Sequence, residues 1–167
     1  MNEKYTEQTE LPFVEGEYVE EQNNTWMSYT RLSLNELEDG DTYTGKPLLL
    51  PIEKVTFDDD GIEQIRHRCR LILVDEEAEE YLQINLNLKN DNDIQINIHN
   101  ASSLYALIAG IMNLKNPQWT RMYNRIKQVN LEDWRKYLGD KERMRICIVE
   151  KQGNNFVYNS FRIMELI

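Results

Sequence analysis

Arg66, Arg68 and Arg70 occupy every second position of one segment. Strand side chains alternate between faces, so this spacing puts three guanidinium groups on one side of a strand. Burying three unpaired guanidinium groups would cost far more than it gains. That side must therefore face water, and His67, Cys69, Leu71 and Leu73 must face the core. The next apolar segment carries Tyr81, Gln83, Asn85, Asn87 and Lys89 on its polar side. If the two segments pair, they make one surface of cations, amides and a ring. Guanidinium groups match phosphate oxygens, and flat side chains accept stacked bases. The competing reading is a solvated face whose arginines are balanced by Glu53 or Glu63 across the strand.

Further basic and aromatic groups follow. Arg143 and Arg145 precede a Gly-Asn turn, Lys151 opens it, and Tyr158 and Arg162 follow it. Between them and the arginine row lie Trp119, Arg121, Arg125, Lys127, Trp134, Arg135 and Lys136. Trp119 and Trp134 sit at helical spacing among apolar neighbours and are expected in the core. No phosphate loop, GxGxxG, HExxH, CxxC or Gly-x-Ser-x-Gly occurs. Asp58-Asp59-Asp60 cannot all point at one ion from a regular element and reads as a polar turn, and Asp91 and Asp93 read the same way. His67 is expected as a core histidine and His99 as a capping or surface residue. No enzyme, cofactor or metal is expected.

The chain has 167 residues and a formal net charge of −10. An acidic total argues against a nucleic-acid partner until the charge is mapped. Residues 1–42 carry a net −9, residues 43–93 a net −6 and residues 94–167 a net +5. The acidic front therefore masks a basic C-terminal part. Apolar runs such as Leu71 to Val74 are short against the ~20 residues of a spanning helix, and the start has no apolar signal region. Two cysteines, Cys69 and Cys147, cannot build a disulfide framework. A cytoplasmic protein with reduced thiols and no membrane partner is expected, with one domain and a polar tail.

Residues 1–24 are expected as an acidic flexible tail, and residues 25–167 as the domain. Trp26 and Tyr29 are expected to anchor the one to the other. Ser33 and Glu36 have capping-box spacing for a short helical turn over 34–38, which Asp39-Gly40-Asp41 ends. An apolar stretch over 44–57 is an edge strand, or one broken by Pro47 and Pro51. Strands are expected over 65–74, 81–89 and 94–98, with turns at 58–61, 75–80 and 90–93. Helical periods follow over 104–114, 119–126 and 131–138, the last ended by Gly139. Strands over 143–150 and 156–166 close the chain around Gly153-Asn154.

Three strands, helices, then two strands is an order similar to that of OB-fold proteins. The stretch from Leu34 through Gly40 to Gly45 resembles the lead-in, with one leucine and two glycines, that precedes the first strand in many of them. The resemblance implies a β-rich α+β fold. It would be an OB-fold-like five-stranded Greek-key barrel with an enlarged helical insert, about 102–139, between strands 3 and 4. It also implies that oligonucleotide lies on the strand 2–3 face and that the loop between strands 4 and 5, here Lys151 to Asn155, closes over it. The expected function is non-catalytic binding of single-stranded DNA, with RNA as a variant. The setting would be replication, recombination or repair, in a virus or mobile element. The acidic N-terminal region would then meet a protein partner. The alternative is an acidic interaction module or inhibitor that mimics nucleic acid toward a protein.

Overall fold

The structure is a computed structural model, and it describes residues 24–88, 96–97, 103–117, 125–126 and 130–167. A 3-10 turn at Asn24–Ser28 leads to β1 (Thr30–Ser33) and a second 3-10 turn at Leu34–Glu36. The backbone N–H of Ser33 donates to Glu36 Oε1 at 3.2 Å, as the capping-box spacing requires. Then come β2 (Thr42–Leu49), β3 (Glu53–Asp59), β4 (Ile62–Asp75) and β5 (Glu80–Leu88). β6 (Ile96–Asn97), α1 (Ser103–Lys115), β7 (Arg125–Ile126) and α2 (Leu131–Gly139) follow, and β8 (Met144–Gln152) and β9 (Val157–Leu166) end the chain.

The main sheet runs β1-β5-β4-β2-β8-β9, with β3 paired to Ile62–Arg68 of β4, on the same edge that β2 takes at Leu71–Val74. β2 serves two neighbours in turn. Lys46 to Leu49 pair with β4, whereas Thr42 to Gly45 pair with β8, both antiparallel. The sheet curls where one ladder gives way to the other, at Gly45. A β-carbon there would lie 2.8 Å from the backbone of Leu73 and Val74, so only glycine permits the approach. The result is a strand-rich α+β fold with a half-barrel sheet.

Alternation decides what the half-barrel holds. Leu82, Ile84 and Leu86 of β5, Cys69, Leu71 and Leu73 of β4, and Met144, Ile146 and Ile148 of β8 all point inward and are buried. β5 and β9 share no ladder among the described residues. α1 packs against both strands, and its Leu104, Leu107, Ile108 and Ile111 complete the core.

Several expectations hold and some need correction. The stretch over 44–57 is the broken alternative, since Pro51 lies between β2 and β3. Asp60 and Gly61 both take positive φ, 53° and 80°, as a two-residue hairpin turn of this hand demands. The helix expected over 119–126 does not extend to its end. Arg125 and Ile126 instead pair with Asn97 and Ile96. A β-branched residue with a strand partner to hand prefers the ladder, so pairing overrides the local period. Trp119, Met122 and Tyr123 lie outside the described residues.

Gly139 is not a left-handed cap either. It belongs to α2, and Asp140 follows in right-handed geometry. Lys46 Nζ donates to the carbonyls of Gly139 and Lys141 at 3.3 and 2.7 Å, which supplies the end of the helix without a glycine cap. At the other end the Asn130 side chain accepts from the N–H groups of Glu132 and Asp133. No described helix is long and apolar enough to cross a membrane. Residues 1–23 lie outside the described set.

Candidate functional site

The arginine row and the amide row meet. β4 pairs with β5 so that Arg68 faces Asn87, Arg70 faces Asn85, Ile72 faces Gln83 and Val74 faces Tyr81. Directly opposed residues share a face of the sheet. The register therefore puts Arg68, Arg70, Gln83 and Asn85 on the outer side, whereas of Arg66 and Asn87 only the backbone is described. Lys89 lies outside the described residues. Gln83 Nε2 donates to Asn85 Oδ1 at 3.1 Å.

β3 adds a carboxylate to this surface. Glu53 stands opposite Arg68, and its Oε1 accepts from Arg68 Nε at 2.6 Å and lies 3.4 Å from Arg70 Nε. One carboxylate thus serves two guanidinium groups, and the trio keeps a net positive charge. All three side chains are about a third exposed, at 32 to 34%. Ion pairs this open are worth roughly 0–1 kcal/mol, so Glu53 holds the arginines only weakly against a competing anion.

The same face turns apolar along β4. Ile72 and Val74 point outward yet are buried, because Trp26 lies over them with Tyr29, Leu48, Leu50 and Tyr81 packed around. Trp26 and Tyr81 meet edge to face at 5.0 Å between ring centroids and 79° between planes. Tyr81 is therefore a packing partner of Trp26, not an open stacking platform. Trp26 and Tyr29 thus pack onto the sheet, while the residues before Asn24 lie outside the described set.

The hairpin cations form a second set. Arg145, Lys151 and Arg162 are exposed on the outer face of β8 and β9, and Tyr158 is half-buried opposite Lys151. Arg143 pairs with Glu165 at 3.2 Å, with both side chains well exposed. Arg145 lies opposite Thr44, near the start of β2, whereas the Arg70 carbonyl accepts from the N–H of Leu50, past its end. Six residues of strand span roughly 20 Å, so the two sets stand at opposite ends of β2.

One candidate group escaped the sequence reading. Phe156 is 58% exposed at the β8–β9 tip, folded over Gly153 and 5.7 Å from the Tyr158 ring. Its only signal was an aromatic residue directly after a Gly-Asn-Asn turn.

Arg135 belongs to the structure instead of a surface. Its Nη1 donates to both carboxylate oxygens of Glu132 at 3.0 Å, and its Nε donates to the Leu49 carbonyl at 2.9 Å. This buried pair ties α2 to the end of β2. Trp134 packs on the core as expected, edge to face with Tyr137. Lys115 and Lys141 lie over the Tyr137 ring at 5.0 and 4.6 Å. Lys136 is exposed on α2. Of Arg125 only the backbone is described, and Arg121, Lys127, Asp91, Asp93 and His99 lie outside the described residues.

Among the described residues no group of three or more His, Cys, Asp and Glu is placed to hold a metal. The turn expected over 58–61 is shorter: Asp58 and Asp59 are still paired in the β3–β4 ladder, and only Asp60 and Gly61 make the turn. His67 lies half-buried on the core side of β4.

Both cysteines are free, Cys69 fully buried and Cys147 half-buried. Burial pushes the Cys69 thiol up to about 12, against a smaller opposite effect of Arg135. Cys69 is expected to stay unreacted with a thiol reagent at pH 8 while Cys147 reacts, and both should react in denaturant. Mass spectrometry of the modified chain reads this directly. Because the native state keeps a proton that the unfolded thiol loses near pH 9, the contribution of Cys69 to stability is present below pH 9 and falls as pH rises toward 12.

No protein-family model matches the chain, and comparison with curated proteins and with solved structures finds no match.

Proposed function

We propose that the protein is a non-catalytic single-stranded DNA-binding protein built on an OB-fold-like barrel. The observation that carries this reading is the β4–β5 register. It sets Arg68 and Arg70 beside Asn85 and Gln83 on one outer face, with Glu53 shared between the arginines. The strand pairing agrees with the fold half of the reading. In that reading β2, β4, β5, β8 and β9 would be the five strands, in the pairing order β5-β4-β2-β8-β9, and α1 would be the helix between strands 3 and 4. Gly40, with φ of 88°, and Gly45 are the two glycines of the lead-in.

Single-strand binding of this kind follows phosphates with cations and tolerates sequence change. It weakens with salt as counterions compete. The test is fluorescence anisotropy of a labelled 30-mer single strand beside the matching duplex, at low salt and at about 0.3 M. The expected result is salt-sensitive binding to the single strand alone. Absence of binding to either at low salt overturns the reading.

The alternative is an acidic module that binds a protein partner. It is favoured by the exposed Glu76, Glu77 and Glu79 at the β4–β5 turn and by the acidic β3–β4 turn. In that case a basic partner protein, not an oligonucleotide, is the ligand.

A further inference from the structure

The half-barrel has an acidic mouth at the end where β4 turns into β5. Asp75 and Glu80 stand directly opposite each other there. Asp75 comes two residues after inward Leu73, and Glu80 two residues before inward Leu82, so alternation turns both carboxylates to the core side. Both residues are half-buried. Like charges opposed across a ladder destabilise it. The described fold does not neutralise them. The cations on the adjoining strands, Arg31 and Lys46, stand opposite Tyr81 and Val74 and so take the other face. The ion pairs among the described residues involve neither Asp75 nor Glu80. Asp75 Oδ1 accepts from the N–H of Ala78 at 3.3 Å, a turn contact that leaves its charge in place.

A buried phenol points to the same place. Tyr43 lies on the inward side of β2, two residues before Gly45, whose close approach to Val74 sets the strand beside the end of β4. Tyr43 is 8% exposed. Burial first, and then the charges of Glu80 and Asp75, hold its pKa well above the ordinary value. Its hydroxyl is therefore aimed at the two carboxylates. Glu80 comes near its proton, yet no described group completes a hydrogen bond with the buried oxygen. A buried hydroxyl left without a partner costs free energy that phenylalanine would not.

Two opposed carboxylates beside a phenol oxygen suit a cation with several donors. A calcium ion takes about 6–8 oxygens, more than this set offers. A guanidinium group presents a planar fork of N–H donors and is more weakly hydrated than an ammonium, so it enters a half-buried site at lower cost. The exposed Glu76, Glu77 and Glu79 form the rim and suit further cations flanking the arginine.

We propose that this mouth takes an arginine side chain from a basic segment of a partner protein, held between Asp75 and Glu80 with the Tyr43 oxygen as a third acceptor. Asp75 and Glu80 lie on the opposite side of the sheet from Arg68 and Arg70, so the proposal stands whatever the arginine face binds.

The test uses the full chain and two labelled peptides of equal charge, Lys-Gly-Arg-Gly-Lys and Lys-Gly-Lys-Gly-Lys. Anisotropy at low salt should show the arginine peptide binding about 5-fold or more tighter, the worth of roughly one hydrogen bond. Tyr43→Phe should weaken the arginine peptide about 3- to 10-fold and leave the melting midpoint unchanged or higher, since nothing in the fold receives the hydroxyl. Asp75→Asn with Glu80→Gln should remove the preference for arginine and raise the midpoint by relieving the opposed charges. Equal affinity for the two peptides would mean a diffuse acidic field and overturns the proposal, as does binding of neither. A Tyr43→Phe chain that melts lower and binds the arginine peptide normally also overturns it, because the hydroxyl then serves the fold alone. None of these outcomes decides the single-strand reading, which fails separately if the 30-mer does not bind.

Discussion

Replacing Gly45 by alanine is expected to destabilise the fold by about 3 kcal/mol or more, the upper range of overpacking in a core. The added methyl would stand 2.8 Å from Leu73 C, Val74 N and Val74 O, all of them backbone. Backbone in the centre of a sheet cannot swing away as the end of a side chain can. Relief requires the β2–β4 ladder to open where β2 passes from one partner to the other. Gly139 supplies the control. It lies in α2, and a β-carbon there meets nothing within 4 Å. Gly139→Ala should therefore be neutral or stabilising by up to ~1 kcal/mol, because alanine is the better helix former. Urea denaturation of both variants measures the difference. Equal midpoints would mean that the close approach at Gly45 does not exist.

The second large effect concerns binding. Arg68→Ala with Arg70→Ala is expected to reduce single-strand affinity by about 10-fold or more at low salt. Two lost phosphate contacts should also flatten the salt dependence by about 1.4 in log–log slope. Glu53→Gln should act in the opposite direction. It removes the carboxylate that both arginines share, at 2.6 and 3.4 Å, and leaves the fold's hydrophobic contacts intact. Affinity should rise several-fold. Opposite signs from the two changes are the signature of a binding role. If the arginines merely balance Glu53 on a solvated face, both changes cost a fraction of a kcal/mol in stability and neither alters binding. Anisotropy titrations at three salt concentrations, with thermal melts alongside, separate these outcomes.

Much of the site was legible from spacing. The period of two over Tyr81 to Leu88 names the inward leucines and the outward amides without reference to any other strand. The same period sorts Arg66, Arg68 and Arg70 from Cys69, Leu71 and Leu73. Turn chemistry at Asp60-Gly61 ties β3 to β4, and that pairing brings Glu53 opposite Arg68, as the solvated-face alternative supposed. Strand periodicity is a property of the chain's own geometry, so it survives whatever the chain packs against.

What covers each face is a different matter. Ile72 and Val74 share the arginine side by parity, and nothing local distinguishes them from exposed residues. They are buried because Trp26, some 46 residues earlier, lies on them. The same contact turns Tyr81 from a platform into a packing partner. Arg135 looked like one more surface cation until Glu132 and the Leu49 carbonyl enclosed its guanidinium group. The strand at Arg125–Ile126 depends on a partner at Ile96–Asn97 that a helical period cannot announce. The two ladders of β2 are equally silent in sequence, since alternation is the same beside β4 as beside β8. Local geometry assigns each side chain to a face. Only the return of distant chain decides whether that face meets water, a carboxylate or a tryptophan.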